Sequence, residues 1–177
     1  MTLQLVGQLV GFISTALFLL SFQFKQNKQL FALQLGSFAF YILHYFLIGA
    51  LAGCIAMAIN TARCVVMYFF NDRKWAAWKG WLWIFAVLYL VNAVYTWEGL
   101  ISLLPLVGSM ACLFAYWGRN LRTIRVINLT LGSPTWLVYD IFTKSIAGTV
   151  SESLCMLSII MVVSRFMRKF VCRLCVE

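Results

Sequence analysis

Apolar residues run along this chain in long blocks of spanning length, separated by short polar stretches. The pattern predicts helices near Leu3 to Phe22, Leu30 to Ile48, Leu51 to Phe70, Trp78 to Trp97, Leu100 to Trp117, Ile124 to Phe142 and Ile146 to Arg165. About 20 mostly apolar residues at 1.5 Å rise cross a hydrocarbon core of about 30 Å. Seven such blocks with short links account for nearly the whole chain, so the predicted fold is an all-α membrane protein of seven transmembrane helices. Composition agrees: 63% of the 177 residues are apolar and 11% charged, more oil than a soluble domain of this length can bury. The first block has no basic n-region and no small-residue cleavage site, so it is read as a retained span rather than a signal peptide. Trp75, Trp78, Trp81 and Trp83 crowd the start of the fourth block like an interfacial aromatic belt.

The net charge of +9 would suggest nucleic acid in a soluble protein, but here topology explains it. Cytoplasmic loops carry an excess of Lys and Arg close to the span ends. Twelve basic residues (Lys25, Lys28, Arg73, Lys74, Lys79, Arg119, Arg122, Arg125, Arg165, Arg168, Lys169 and Arg173) follow spans one, three, five and seven. Only Lys144, with Glu98, marks the other side, and Arg63 lies within a span. The split predicts an N-terminus outside and a C-terminus in the cytoplasm, and six or eight spans would scatter basic clusters on both faces.

Laying the halves side by side suggests a repeat. Leu9-Val10-Gly11 recurs as Leu106-Val107-Gly108, and Lys25 and Lys28 recur as Arg122 and Arg125. With single-residue slips, Gly36-Ser37 recurs as Gly132-Ser133, Phe46 as Phe142 and Ala52-Gly53 as Ala147-Gly148. An odd number of spans between them gives both units the same orientation, a parallel three-plus-one-plus-three plan. Residues 1–72 form the first three-helix repeat, 73–98 the linker helix, 99–166 the second repeat and 167–177 a basic cytoplasmic tail.

Polar groups at span depth cost about 2.5 to 3.5 kcal/mol each when ionisable, and usually face the bundle interior or water. The candidates are His44, Asn60, Arg63, Asp140 and Glu152. Ala52, Ala56, Asn60 and Arg63 recur at spacings of four, four and three, which stacks them on one helix face; Ala147, Ser151, Cys155 and Ser158 give the seventh span a matching small face. Competing readings stand beside a solute site: Asn60 and Arg63 as glue between helices, Arg63 snorkelling to the interface, Glu152 solvated near the surface, and Asp140 paired with Lys144 four residues on. Pro134 marks a candidate kink in the sixth span.

Several chemistries lack their residues. One histidine cannot supply both axial ligands of a b-type haem, no mid-span lysine is present for retinal, and neither a His-Glu-x-x-His motif nor a Gly-rich phosphate loop occurs. Cys172 and Cys175 form a Cys-x-x-Cys pair in the tail without a second pair, which favours reduced structural thiols. Ser37 and His44, two turns apart, are the single weak nucleophile-base pair. The expectation is therefore a protein that is not an enzyme and that uses no cofactor or metal.

The segment His44-Tyr45-Phe46-Leu47-Ile48-Gly49, continuing through Asn60 and Arg63, resembles the signature of the YgjV-like bacterial inner-membrane family. So do Leu103-Leu104-Pro105-Leu106-Val107-Gly108 and Ser145-Ile146-Ala147-Gly148-Thr149 followed by Glu152. The resemblance implies a multi-pass inner-membrane protein and no particular biochemical activity. More distantly, the triplet duplication is similar to the MtN3/SWEET and PQ-loop transporters, which place a solute site between two three-helix bundles. The Pro-Gln pair of that group is replaced by Phe22-Gln23 and Arg119-Asn120, which leaves its hinge and a sugar substrate without support.

These readings converge on a small-solute transporter with alternating access, its cavity lined by Asn60, Arg63, His44, Trp136, Asp140 and Glu152. Asn60 would hydrogen-bond the solute and Trp136 would offer a stacking face. The alternative is a non-transporting membrane scaffold or sensor. The partners implied are the lipid bilayer and a small solute, with no nucleic acid; a homo-oligomer is left open.

Overall fold

The computed structural model describes residues 2–24, 26–97 and 99–157. Regular structure among these residues is helical throughout: α1 (Thr2–Ser21), α2 (Asn27–Ile48), α3 (Leu51–Phe69), α4 (Gly80–Tyr95), α5 (Leu103–Trp117), α6 (Leu121–Ile127), α7 (Ser133–Phe142) and α8 (Ile146–Leu157). A 3₁₀ turn, Leu100–Ser102, leads into α5, and a π-helical turn, Asn128–Gly132, joins α6 and α7 into one rod. The seven predicted spans thus meet seven helical rods. Leu3–Ser21, Asn27–Ile48, Leu51–Phe69 and Leu100–Trp117 are long and apolar enough to cross a membrane, and Gly80–Tyr95 and Ile146–Leu157 are shorter apolar helices. Lys25, Glu98, Ser158 and the tail with Cys172 and Cys175 lie outside the described residues.

Polar residues share the core with apolar ones, and large apolar residues cover the outside. Gln34, Ser37, His44, Asn60, Arg63, Asn92 and Asp140 are buried, while Leu9, Phe46, Val94 and Ile141 lie on the outer surface. Such an arrangement suits lipid, because the bilayer accepts apolar side chains and cannot satisfy polar ones. Helix α4 shows the rule at helical spacing: Phe85, Tyr89 and Asn92 point inward, and Trp83, Val87, Leu90 and Val94 point out.

Without a hydrophobic drive between helices in lipid, small residues and side-chain hydrogen bonds hold the rods together. Ser14 Oγ donates to the Ser37 carbonyl at 2.6 Å, and Ser37 Oγ returns a bond to the Ser14 carbonyl at 2.9 Å, clasping α1 to α2. The link from α2 to α3 is a tight αL turn at Gly49 (φ 80°), closed by the Ala50 N–H on the Tyr45 carbonyl at 2.9 Å.

The irregularity anticipated at Pro134 falls one turn earlier. Pro134 occupies the first turn of α7, where its missing N–H costs least. The π turn just before it lets the Ser133 N–H reach back to the Asn128 carbonyl. Asn128 Nδ2 meanwhile donates to the Ile124 carbonyl at 2.9 Å, so a side chain takes over a bond in the disturbed ladder.

Candidate functional site

Helix α3 builds one wall of the bundle centre. Its predicted face is inward as read, with Ala52, Ala56, Asn60 and Arg63 all buried. The two alanines let neighbouring helices close in, and the polar pair one turn further is delivered to the middle. Asn60 Oδ1 accepts from Arg63 Nη2 at 3.1 Å and from the Tyr89 hydroxyl of α4 at 2.7 Å. The Arg63 guanidinium lies over the Tyr116 ring of α5, 4.3 Å from its centroid. Tyr116 in turn accepts at its hydroxyl from Gln34 Nε2 of α2 (2.8 Å). Four helices are thereby tied to one buried cation. Arg63 is 1% exposed and does not snorkel.

Opposite stands a second polar group. The Tyr45 hydroxyl donates to Asp140 Oδ1 at 2.6 Å, and the Asp140 carboxyl rests on the backbone of Gly148, where a side chain would collide with it. The helical ion pair with Lys144 is not formed. Lys144 instead adopts a left-handed conformation (φ 55°) in the turn that follows α7. Glu152, read from sequence as near the outer surface, lines the central cavity from α8 and is half-buried.

Between these groups lies a cavity of about 30 Å³, room for about two waters. Asn60, Arg63, Trp136, Asp140 and Glu152 all line it, joined by Tyr41, Tyr45, Tyr116 and Ser109. Five of the six sequence candidates are therefore brought to one space. His44 is not. Its Nδ1 bonds the Gly7 carbonyl at 2.8 Å, and since a carbonyl only accepts, Nδ1 carries the proton. A neutral ring then accepts the Ser145 hydroxyl at Nε2 (2.8 Å), leaving the Ser145 oxygen to take the Gly148 N–H at 3.1 Å and cap α8. His44 joins α1, α2 and α8 behind the cavity wall. The Ser37–His44 pair is likewise dissolved, since Ser37 spends its hydroxyl on α1.

The sequence reading missed the tyrosines. Tyr45, Tyr89 and Tyr116 are each buried: the first two hydrogen-bond Asp140 and Asn60, and the third holds Arg63 over its ring while its hydroxyl accepts from Gln34. A signal existed: a tyrosine hydroxyl inside a span needs a partner, and Tyr41 lies two turns from the end of α2. Tyr41 finds Thr15 Oγ1 at 3.1 Å.

Residues 5–169 match the Imp-YgjV family, described as a bacterial inner membrane protein. None of the curated proteins and none of the solved structures compared with the chain matches it.

Proposed function

We infer, from the Imp-YgjV bacterial inner membrane family to which this chain belongs and from its buried polar centre, that it is a small-solute transporter working by alternating access. The carrying observation is convergence. Polar side chains from five separate rods, each costly in lipid, are aimed at one cavity rather than scattered as pairwise helix glue. In this reading residues 1–72 and 99–166 are parallel three-helix units that rock about the linker 73–98, and the protein carries its solute unchanged rather than acting on it as an enzyme.

Local geometry supports the duplication. The turn after α2 is closed by the Ala50 N–H on the Tyr45 carbonyl, and the turn after α7 by the Ser145 N–H on the Asp140 carbonyl, both at 2.9 Å. Gly49 and Lys144 take the same left-handed conformation at equivalent steps. Four residues later, Gly53 and Gly148 each pack against the side chain eight residues back, Tyr45 and Asp140 respectively. The proposed sidedness, N-terminus outside, rests on the basic split; single cysteines at Arg122 and Gly99 should be labelled from the cytoplasm and the periplasm respectively, and the reverse would overturn it.

A cavity for two waters is also what a non-transporting scaffold would hold, so flux must separate the readings. Purified protein in liposomes should take up at least one solute of a broad panel, and Asn60→Ala should reduce that uptake to background. Liposomes that move nothing, together with Asn60→Ala cells indistinguishable from wild type in metabolite content, would leave the scaffold or sensor standing.

A further inference from the structure

Arg63 is the largest fully buried side chain among the described residues, and its surroundings do not account for its charge. A guanidinium cannot shed its proton in a protein, so a permanent cation sits in the bundle centre. Of its five N–H donors, one bond from Nη2 reaches Asn60; Nε and Nη1 have no hydrogen-bond partner. The Tyr116 ring attracts the cation, 4.3 Å from its centroid, but gives Nε and Nη1 no hydrogen bond. No carboxylate pairs with it either. The ion pair among the described residues is Lys28 with Asp72, out on the surface; Asp140 in the same cavity is held by Tyr45, and neither it nor Glu152 comes within ion-pair distance of Arg63.

Buried charges are ordinarily paired as well as hydrogen-bonded, because an isolated one loses its hydration without return. Two waters would satisfy donors but supply no charge. The missing partner is an anion.

The rest of the wall narrows its kind. Phe18, Tyr45, Met57 and Trp136 give the cavity apolar and aromatic sides. Asp140 and Glu152 line it as well, so a second negative group on the ligand would meet carboxyls. We propose that the central cavity binds a small organic monocarboxylate, its carboxylate on the free Arg63 N–H groups and its apolar body against the aromatic wall. The proposal rests on the reading of this cavity as the solute site and names the substrate class. The two-water space must widen for any such ligand, which is the motion alternating access supplies.

The test is binding, independent of flux. Thermal unfolding of the purified full-length protein in detergent is followed with sodium acetate, propionate and benzoate, each against its neutral amide, at fixed ionic strength. At least one carboxylate should raise the Tm by several degrees while its amide does not. Arg63→Gln should weaken that carboxylate by at least about tenfold. Should Arg63→Gln not fold, Asn60→Asp carries the test: it sets a carboxylate where Oδ1 now lies 3.1 Å from Nη2, giving Arg63 an internal partner at unchanged shape. Asn60→Asp should raise the basal Tm and abolish the carboxylate response. Equal shifts by amide and carboxylate, no shift with any carboxylate, or a full response retained in Asn60→Asp would each overturn the proposal. A carboxylate that binds but is not carried into liposomes defeats the transport reading and leaves this site; a carried neutral solute with no carboxylate binding does the reverse.

Discussion

Gly11→Val is expected to leave little correctly folded protein in the membrane, although the substitution is apolar and lies in an apolar helix. A Cβ at position 11 would stand 2.5 Å from Ala147 Cβ and 2.7 Å from His44 Nδ1, where real Cβ contacts do not come under about 3 Å. Neither neighbour can yield: Ala147 Cβ is fixed to its backbone, and the His44 ring is held at both nitrogens by Gly7 and Ser145. Room can be made only by moving α8 off α1. That movement breaks the bonds from the Ala147 N–H to Gln8 Oε1 (2.9 Å) and from Thr15 Oγ1 to the Ala147 carbonyl (3.3 Å), and uncaps α8 at Ser145. Even Gly11→Ala should cost about 1–3 kcal/mol by overpacking, and valine adds two methyl groups to the collision. Gly36→Ala is the control, since its new Cβ would meet only Leu17 Cδ1, at 3.7 Å. Fluorescence-detected size exclusion and thermal melting in detergent measure all three variants, and a Gly11→Ala protein as stable as Gly36→Ala would show that α1 and α8 do not meet as described.

The same contact shows where sequence reasoning reaches and where it stops. Span positions follow from composition alone, because a lipid-facing rod must be apolar for its whole length; α3, read as Leu51 to Phe70, runs Leu51–Phe69. The inward face of α3 follows from residue type, since Asn60 and Arg63 are too costly to leave in lipid. What spacing cannot give is the partner. Asp140 has a lysine four residues away in sequence and a tyrosine 95 residues away, and it is the tyrosine that holds it, while Lys144 lies past the end of α7 in a left-handed turn. His44 is similar: its polarity marks it as inward, but whether it faces the cavity or the α1–α8 seam depends on the close approach at Gly11. Pro134 was legible as a break, not as the site of the break, because a first-turn proline is comfortable and Asn128 absorbs the disturbance one turn before it. Tyrosines escaped because their rings read as apolar and their hydroxyls reveal themselves only through partners.

Asp140→Ala is expected to destabilise the protein by about 1–3 kcal/mol, most of it through a residue that is not mutated. Tyr45 is 1% exposed and its ring packs against those of Tyr41, Trp136 and Tyr139, so truncation leaves its buried hydroxyl without the acceptor it now has. Asp140→Asn keeps an oxygen at the Oδ1 position and should cost much less, which separates the loss of an acceptor from the loss of a charge. Tyr45→Phe removes the donor and leaves the carboxyl resting on Gly148. In Asp140→Ala with Tyr45→Phe nothing polar is stranded, so the pair should cost less than the sum of the single changes. The coupling should be about 0.6 kcal/mol and no more than about 1.7, the average and the maximum for hydrogen bonds within a membrane bundle. In thermal and denaturant melts of the four proteins, a coupling near zero would mean that the 2.6 Å contact contributes nothing to holding Asp140. A coupling in that range would show that the Tyr45 bond fixes Asp140 on the wall of the cavity that Arg63 also lines.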